Sequence, residues 1–436
     1  MKIVVIKIIS ILVFSTFLTA CKTGGGDEQR FTIAVIPDTQ NMVDFSHQNT
    51  ENYPIDSAGM FIQQMQYLAD NTNIRGGNIE FVTSVGDVWQ HRENGVDPAH
   101  ANRGLTAADD SPEKNPKNHS GIQNFEIPLA KRGYNILAET GIPFSVVPGN
   151  HDYDWYWRDS RFPRQRDRFD ELRDERGRIV RFDPTIIGMT HVGGLDNFRS
   201  VFSDTGPYFK NKSWYISSYN GGANSAQVFQ AGGYKFLHLG LEMQSGDDVL
   251  DWAQEVINAN IGIPTIISTH DFLTTDGERK QRINADYSRV DPGYHKATEE
   301  IWEEFIAVND QIFMVLSGHN HAQSRRTDKN NFGNKVYQIM ADYQDRGQSL
   351  RTDINKPPVA LSDGWLRLME FDMGKAFPVI NVRTYSTYYK KFSYEIPEYA
   401  SWYKKWEHPE LSDEEFNAMD YFSIELTDFK ERFDKN

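Results

Sequence analysis

Five short polar clusters occur in order along the chain, and each begins where an apolar run ends. They are Asp38-Thr39-Gln40, Gly86-Asp87, Gly149-Asn150-His151-Asp152, Thr269-His270-Asp271 and Gly318-His319-Asn320-His321. Carboxylate, imidazole and amide side chains bind hard or borderline divalent metal ions. The single cysteine, Cys21, removes the option of a thiolate site. The sequence therefore predicts a metal centre built from oxygen and nitrogen ligands in distant parts of the chain.

Strand-length apolar runs lead into each cluster and define the scaffold that must position it. The runs are Phe31–Pro37, Ile79–Val85, Ile142–Val147, Pro264–Ser268 and Gln311–Ser317, and helical stretches lie between them at Ala58–Ala69, Ile122–Ala138, Val249–Ala259 and Ala297–Val308. Alternation of strand and helix predicts an α/β architecture that gathers ligands at the carboxyl ends of strands. Three later runs without helices between them, Lys335–Ile339, Trp365–Phe371 and Val379–Tyr385, predict a second, more antiparallel sheet.

The order of the clusters resembles that of the calcineurin-like metallophosphoesterases over residues 31–386: Asp, Gly-Asp, Gly-Asn-His-Asp, a lone His and Gly-His-x-His. The resemblance implies a two-sheet β-sandwich flanked by helices. It also implies two divalent metal ions, for which Mn, Fe, Zn and Ni all remain open. The implied ligands are Asp38, Gln40 and His321 for the first ion, Asp87 as the bridge, and Asn150, His270 and His319 for the second.

The same resemblance implies a phosphatase or phosphodiesterase acting on a small phosphoester. A hydroxide that bridges the two ions would attack phosphorus in line with the leaving oxygen. His151 would protonate that oxygen as general acid, and Asp152 would orient the imidazole. Gln40 departs from the pattern, because the family commonly has His there. Its neutral amide oxygen predicts that the first ion is bound more weakly than the second.

The N-terminal segment predicts export and a lipid anchor. Residues 1–20 contain two lysines and an apolar stretch too short to span a bilayer, as in a signal peptide. Leu18-Thr19-Ala20-Cys21 resembles the lipobox of bacterial lipoproteins, in which the Cys becomes lipid-modified. Residues 21–30 form a glycine-containing tether. We therefore expect a protein anchored to a bacterial membrane, preferably the outer one; an ordinary cleaved signal peptide is the alternative.

Cys21→Ser should release the protein from the membrane fraction into the soluble extract. The reason is that acylation of this thiol is the predicted attachment to the bilayer. Fractionation followed by immunoblotting measures the effect. A variant that still sediments with membranes would rule out the anchor.

Charge and the remaining segments limit the other functions. The net charge is −15, so the chain repels phosphate backbones and a nucleic-acid partner is not expected. Polar insertions are predicted at about 91–120 and 153–230, and an aromatic-rich extension at 387–436 that packs on the domain. A non-catalytic surface lipoprotein with a degenerate metal site, binding a partner or polysaccharide, is the alternative function. The oligomeric state stays open.

Histidines outside the clusters have simpler predicted roles. His91, His100, His119 and His191 lie in polar insertions and are predicted to be solvated. His238 alternates with Leu237 and Leu239 and is predicted to be a buried histidine with satisfied hydrogen bonds.

Overall fold

The computed structural model describes residues 29–108, 116–162, 189–281 and 285–434. The predicted signal peptide and Cys21 lie outside these residues. Within the described ranges, no helix is both long and apolar enough to cross a membrane.

Strands and helices alternate along most of the chain. The strands are β1 (Arg30–Ile36), β2 (Ile79–Ser84), β3 (Glu93–Asn94), β4 (Phe144–Val146), β5 (Trp155–Arg158), β6 (Thr190–Gly193), β7 (Tyr215–Tyr219), β8 (Asn224–Ala231), β9 (Tyr234–Gly240), β10 (Thr265–Ser268), β11 (Ile312–Ser317), β12 (Ala322–Lys329), β13 (Lys335–Asp342), β14 (Trp365–Asp372), β15 (Val379–Ser386), β16 (Lys391–Phe392) and β17 (Tyr421–Glu425). The helices are α1 (Gln40–Val43), α2 (Ser57–Asp70), α3 (Pro98–Asn102), α4 (Pro116–Gly121), α5 (Ile127–Ala138), α6 (Asp196–Phe202), α7 (Asp247–Ala259), α8 (Tyr287–Val290), α9 (Thr298–Ile301), α10 (Tyr399–Glu407), α11 (Asp413–Asp420) and α12 (Phe429–Phe433). Single π-helical turns, Ile122–Glu126 and Trp302–Ile306, precede α5 and follow α9.

Two mixed sheets form the body of the protein. Sheet 1 has the order β16-β15-β14-β1-β2-β4, with β17 also paired to β15, and sheet 2 has the order β12-β13-β11-β10-β9-β8-β7. In sheet 1, β1, β2 and β4 run parallel. In sheet 2, β9, β10, β11 and β13 run parallel. A small third sheet, β3-β5-β6, is formed by the insertions.

The sheets pack face to face, and helices cover their outer faces. Alternate residues of β1 point to opposite sides, so that Ile33 and Val35 pack between the sheets while Ala34 and Ile36 pack beneath helices α2 and α5. On the other side, Val249 and Ala253 of α7 belong to the cluster that covers sheet 2. The predicted fold class, a two-sheet sandwich flanked by helices, is confirmed.

The three late strands do not share one sheet, contrary to the prediction. β13 pairs parallel with β11 in sheet 2, whereas β14 pairs antiparallel with β1 and β15 in sheet 1. The connection from β13 to β14 crosses from one sheet to the other. β7 and all but the last residue of β8 fall in the predicted insertion at 153–230, and both are strands of sheet 2.

The C-terminal segment is integrated into the sandwich. β17 extends sheet 1 beside β15, and Phe429 and Phe433 of α12 enter the cluster between the sheets. Tyr399 and Tyr403 of α10 pack against Trp365.

Candidate metal centre

Five parallel strands from both sheets end at the predicted ligands. Asp38 follows β1, Asp87 follows β2 and Asn150 follows β4, all in sheet 1; His270 follows β10 and His319 follows β11 in sheet 2. The loops are joined by backbone hydrogen bonds, from Thr39 N–H to the Asp87 carbonyl at 3.0 Å and from Gly318 N–H to the His270 carbonyl at 2.8 Å. The carboxyl ends of the parallel strands in both sheets therefore meet at one site.

His270 lies at the centre of the described contacts. Its Nε2 is 3.1 Å from Asn150 Oδ1, 3.1 Å from His319 Nδ1 and 3.3 Å from Asp87 Oδ2. Its Nδ1 is 2.8 Å from the Val85 carbonyl, which can only accept, so the Nδ1 proton is used there and Nε2 is the nitrogen that faces the other ligands. Asp87, His270 and His319 offer three ligand atoms within 4.8 Å of one another.

Three motif glycines leave room for these side chains. A Cβ on Gly149 would overlap Asp87 Oδ1, a Cβ on Gly318 would overlap Asp38 Oδ1, and a Cβ on Gly86 would come within 2.9 Å of His270 Nδ1. Asp87 and His319 themselves have φ angles of 52° and 70°, in the left-handed region that residues other than glycine rarely adopt. Strained residues of this kind are often found at functional sites, where the surrounding structure holds them.

Buried acids and a buried imidazole dominate the electrostatics. Burial and the charge of Asp342 raise the pKa of Asp38 well above its usual value. Burial alone would lower the pKa of His270, but the carboxylates of Asp87 and Asp38 raise it to about 10. These carboxylates therefore favour a positive charge at this position, and a divalent cation would supply one.

The remaining predicted ligands surround this centre. Asp38 Oδ2 accepts from His319 N–H at 3.1 Å. Gln40 is fully buried; its Nε2 donates to Asp87 Oδ2 at 3.1 Å, while its Oε1 has no hydrogen-bond partner within the described ranges. His321 bonds to the Asp345 carboxylate through Nδ1, and its side chain is 42% exposed.

The Gly149–Asp152 turn differs from the prediction in one respect. His151 Nδ1 is 2.5 Å from the Gln90 carbonyl, whereas the Asp152 carboxylate accepts from Val88 N–H at 2.9 Å and Gly149 N–H at 2.8 Å. The predicted orientation of His151 by Asp152 is therefore wrong, because both Asp152 oxygens hold the loops that carry the ligands. A backbone carbonyl orients His151 instead, and Nε2 is the ring nitrogen that this bond does not use.

Several residues of the site were missed from the sequence. Asp342 is the last residue of β13, and Gln344 Oε1 lies 2.6 Å from Gln40 Nε2. The position of this polar cluster directly after a strand was a usable signal. Arg92 stacks on Tyr156, with its guanidinium carbon 4.3 Å from the ring centroid. Nothing in the polar sequence around Arg92 marked it.

The residues present fit a divalent metal centre. The donors are oxygen and nitrogen atoms of carboxylates, amides and imidazoles, the ligand types of borderline divalent ions. Gln40 Oε1 is a buried acceptor without a partner in the described part of the chain, and a buried polar atom of this kind normally has one. A cation would also offset the mutual repulsion of Asp38, Asp87 and Asp342.

A second His/Asp cluster is an ion-pair network and lies apart from the predicted motifs. His100 and His191 are buried, not solvated as predicted. His100 Nε2 is 2.9 Å from Asp291 Oδ2, and Arg103 binds both oxygens of Asp291 at 2.8 and 2.9 Å. The guanidinium of Arg103 already supplies a positive charge to the carboxylate of Asp291. His238 is buried and bonds to Gln227 and Ser268, as predicted.

His100 should make stability depend on pH. Burial lowers its pKa, but Asp291 and Asp97 raise it to about 9, above the 6.5 of an ordinary histidine. The charged imidazole therefore stabilises the fold fully below about pH 6.5 and ceases to do so as the pH rises through about 9. The free energy of unfolding of the protein should exceed that of His100→Gln by on the order of 3 kcal/mol at pH 6, and by much less at pH 10. Urea unfolding at both pH values measures this, and a difference independent of pH would contradict it.

Comparisons with known proteins give a remote relative and a structural likeness. No family model matches the chain. The uncharacterised protein YvnB of Bacillus subtilis (strain 168) is 24% identical over 366 residues, which are 82% of this chain and 21% of that protein. The chain thus spans about a fifth of that relative's length. A crystal structure of a dimetal phosphatase from Danio rerio has a TM-score of 0.39 at 11% identity, covering 82% of this chain and 96% of that one.

Proposed function

We propose that this protein is a metal-dependent phosphoester hydrolase, a phosphatase or phosphodiesterase. The observation that carries the proposal is the convergence on His270 Nε2 of Asp87, Asn150 and His319, within 3.3 Å and from both sheets. Such a set of oxygen and nitrogen donors suits divalent ions that act on phosphate groups. Two ions held by these residues and by Asp38, Gln40 and His321 would neutralise phosphate oxygens and lower the pKa of a water molecule.

His151 and Arg92 would act on the substrate directly. With Nδ1 of His151 bonded to the Gln90 carbonyl at 2.5 Å, Nε2 can deliver a proton to the leaving oxygen. Arg92 Nη1 is buried with no hydrogen-bond partner among the residues described, although its guanidinium lies on Tyr156. Its positive charge helps burial to lower the pKa of His151, which supports a position beside that ring. A guanidinium there suits phosphate oxygens.

We also propose that the enzyme works outside the cytoplasm, attached to a bacterial membrane through lipidated Cys21. The support is the Leu18-Thr19-Ala20-Cys21 string and the preceding apolar stretch. The expected substrate is a small phosphoester, either a monoester or a diester.

Turnover of p-nitrophenyl phosphate and bis-p-nitrophenyl phosphate tests the proposal. The protein should hydrolyse at least one of them with Mn²⁺, lose activity after chelation and regain it when Mn²⁺ is returned. A protein that binds metal tightly and turns over neither substrate would instead favour the non-catalytic lipoprotein.

A further inference from the structure

A hydrogen-bonded chain of buried side chains connects the end of β13 to Gln40. Gln344 Nε2 donates to Asp342 Oδ2 at 2.8 Å, and Gln344 Oε1 accepts from Gln40 Nε2 at 2.6 Å. Asp342, Gln344 and Gln40 are 1%, 6% and 0% exposed, so solvent does not compete for these bonds. The two glutamines are 304 residues apart in sequence.

The chemistry of this chain sets the direction of each amide. Asp342 accepts from the backbone N–H of Gln344 through Oδ1 at 2.9 Å and from its amide nitrogen through Oδ2 at 2.8 Å, so the Gln344 amide turns its nitrogen towards this carboxyl group. The oxygen of Gln344 then faces Gln40, which must present its own nitrogen. The second hydrogen on that nitrogen is directed to Asp87 Oδ2, 3.1 Å away.

The hydrogen bonds made by the Gln40 amide nitrogen determine which contacts are left for its oxygen. Both hydrogens of its amide nitrogen are used, and Oε1 remains buried without a hydrogen-bond partner within the described ranges. A neutral amide can turn either its oxygen or its nitrogen towards a metal ion, and only the oxygen can bind one. The orientation of the Gln40 amide therefore decides whether it is a ligand.

We propose that Gln344 is a positioning residue that turns the Gln40 amide so that Oε1 is presented as a metal ligand. The inference rests on the proposed metal centre and assigns a role to residues beyond its ligands. Groups that hold ligands in this way commonly matter nearly as much as the ligands themselves.

The C-terminal segment holds the turn that carries Gln344. Tyr343 donates its hydroxyl to Asp420 Oδ1 at 2.6 Å, and Arg346 pairs with Asp420 Oδ2 at 3.0 Å and with Glu407. Asp420 ends α11 and Glu407 ends α10. The residues on both sides of Gln344 are thus fixed by charged groups from outside the strands that supply the ligands.

A double-mutant cycle tests the proposal through metal affinity. Metal-free protein is titrated with Mn²⁺ by calorimetry, for the native chain, Gln344→Met, Gln40→His and the double variant. Gln344→Met should weaken one of the two ions by roughly tenfold or more, as loss of such a supporting group does. In the Gln40→His background most of that loss should disappear, because histidine has no amide for Gln344 to orient.

Gln64→Met is the matched control, since Gln64 is fully buried and donates to the Trp365 carbonyl at 2.9 Å, away from the ligands. It should leave Mn²⁺ affinity unchanged. Gln344→Asn, which keeps the amide but is one methylene shorter, replaces Gln344→Met if that variant does not fold, as judged by thermal unfolding.

The outcomes separate this inference from the proposed function. Equal losses from Gln344→Met in both backgrounds, or no loss in either, would overturn the positioning role while leaving the metal centre intact. A native chain that binds no Mn²⁺ would overturn both. Affinity that Gln344→Met lowers in the native background and leaves unchanged in the Gln40→His background supports the proposal.

Discussion

Asp87→Asn should remove bound metal and hydrolytic activity together. The carboxylate is 1% exposed and bonds to Gln40 Nε2 at 3.1 Å and to His151 N–H at 2.8 Å, with His270 Nε2 at 3.3 Å. Among the candidate ligands it contacts both glutamine and histidine members of the set, so it is the best placed to serve two ions. Asparagine preserves the shape but removes the negative charge between two cations.

We expect activity to fall by at least about 10³-fold, since several kcal/mol of charge stabilisation corresponds to a loss of that order. Elemental analysis of the purified variant gives the metal content directly. Asp363→Asn is the matched control, because Asp363 is also buried and accepts from Ser349 N–H at 2.8 Å without contacting a ligand in the described structure. Full metal content in the Asp87 variant would show that the bridge has been placed wrongly.

His151→Ala should keep its metal ions and lose rate in a way that depends on the leaving group. The bond from His151 to Asp87 comes from the backbone N–H, which alanine retains, so the ligand geometry should survive. The imidazole is the part that is lost. General-acid catalysis contributes about 10²–10⁴-fold, and least where the leaving group needs no proton.

The measurement compares an alkyl phosphate with p-nitrophenyl phosphate. Turnover of the alkyl ester should fall by about 10²–10⁴-fold and that of the nitrophenyl ester by far less. Burial and Arg92 lower the pKa of His151 to about 4, so an anionic substrate must raise it for the ring to carry the proton. Equal losses on the two esters, or loss of metal, would refute the role of His151.

Much of the scaffold was readable from local patterns. The apolar run Gln311–Ser317 predicted β11, observed at Ile312–Ser317, and Ala58–Ala69 predicted α2, observed at Ser57–Asp70. The placement of a polar cluster after each strand predicted that the ligands would meet at one edge. These features follow from the period of side chains along a single element and from the placement of polar residues directly after an apolar strand.

Local patterns do not predict which elements pair or which side chains contact each other across them. β13 and β14 are both apolar runs that the sequence assigns to one sheet, yet β13 joins sheet 2 and β14 joins sheet 1. Asp152 was expected to hold His151, but backbone N–H groups of two loops take both of its oxygens. His100 is predicted from its polar sequence to be solvated, but in the fold it is buried between Asp97 and Asp291.

The residue types and their order thus define which chemistry this chain can perform, because ligand identity is a property of the side chain. The packing of the two sheets settles which atom each side chain presents. Gln40 illustrates the difference: its sequence position marks it as a candidate ligand, but Gln344, 304 residues away, orients its amide. Contacts across such separations depend on how the elements pack, and no local pattern encodes them.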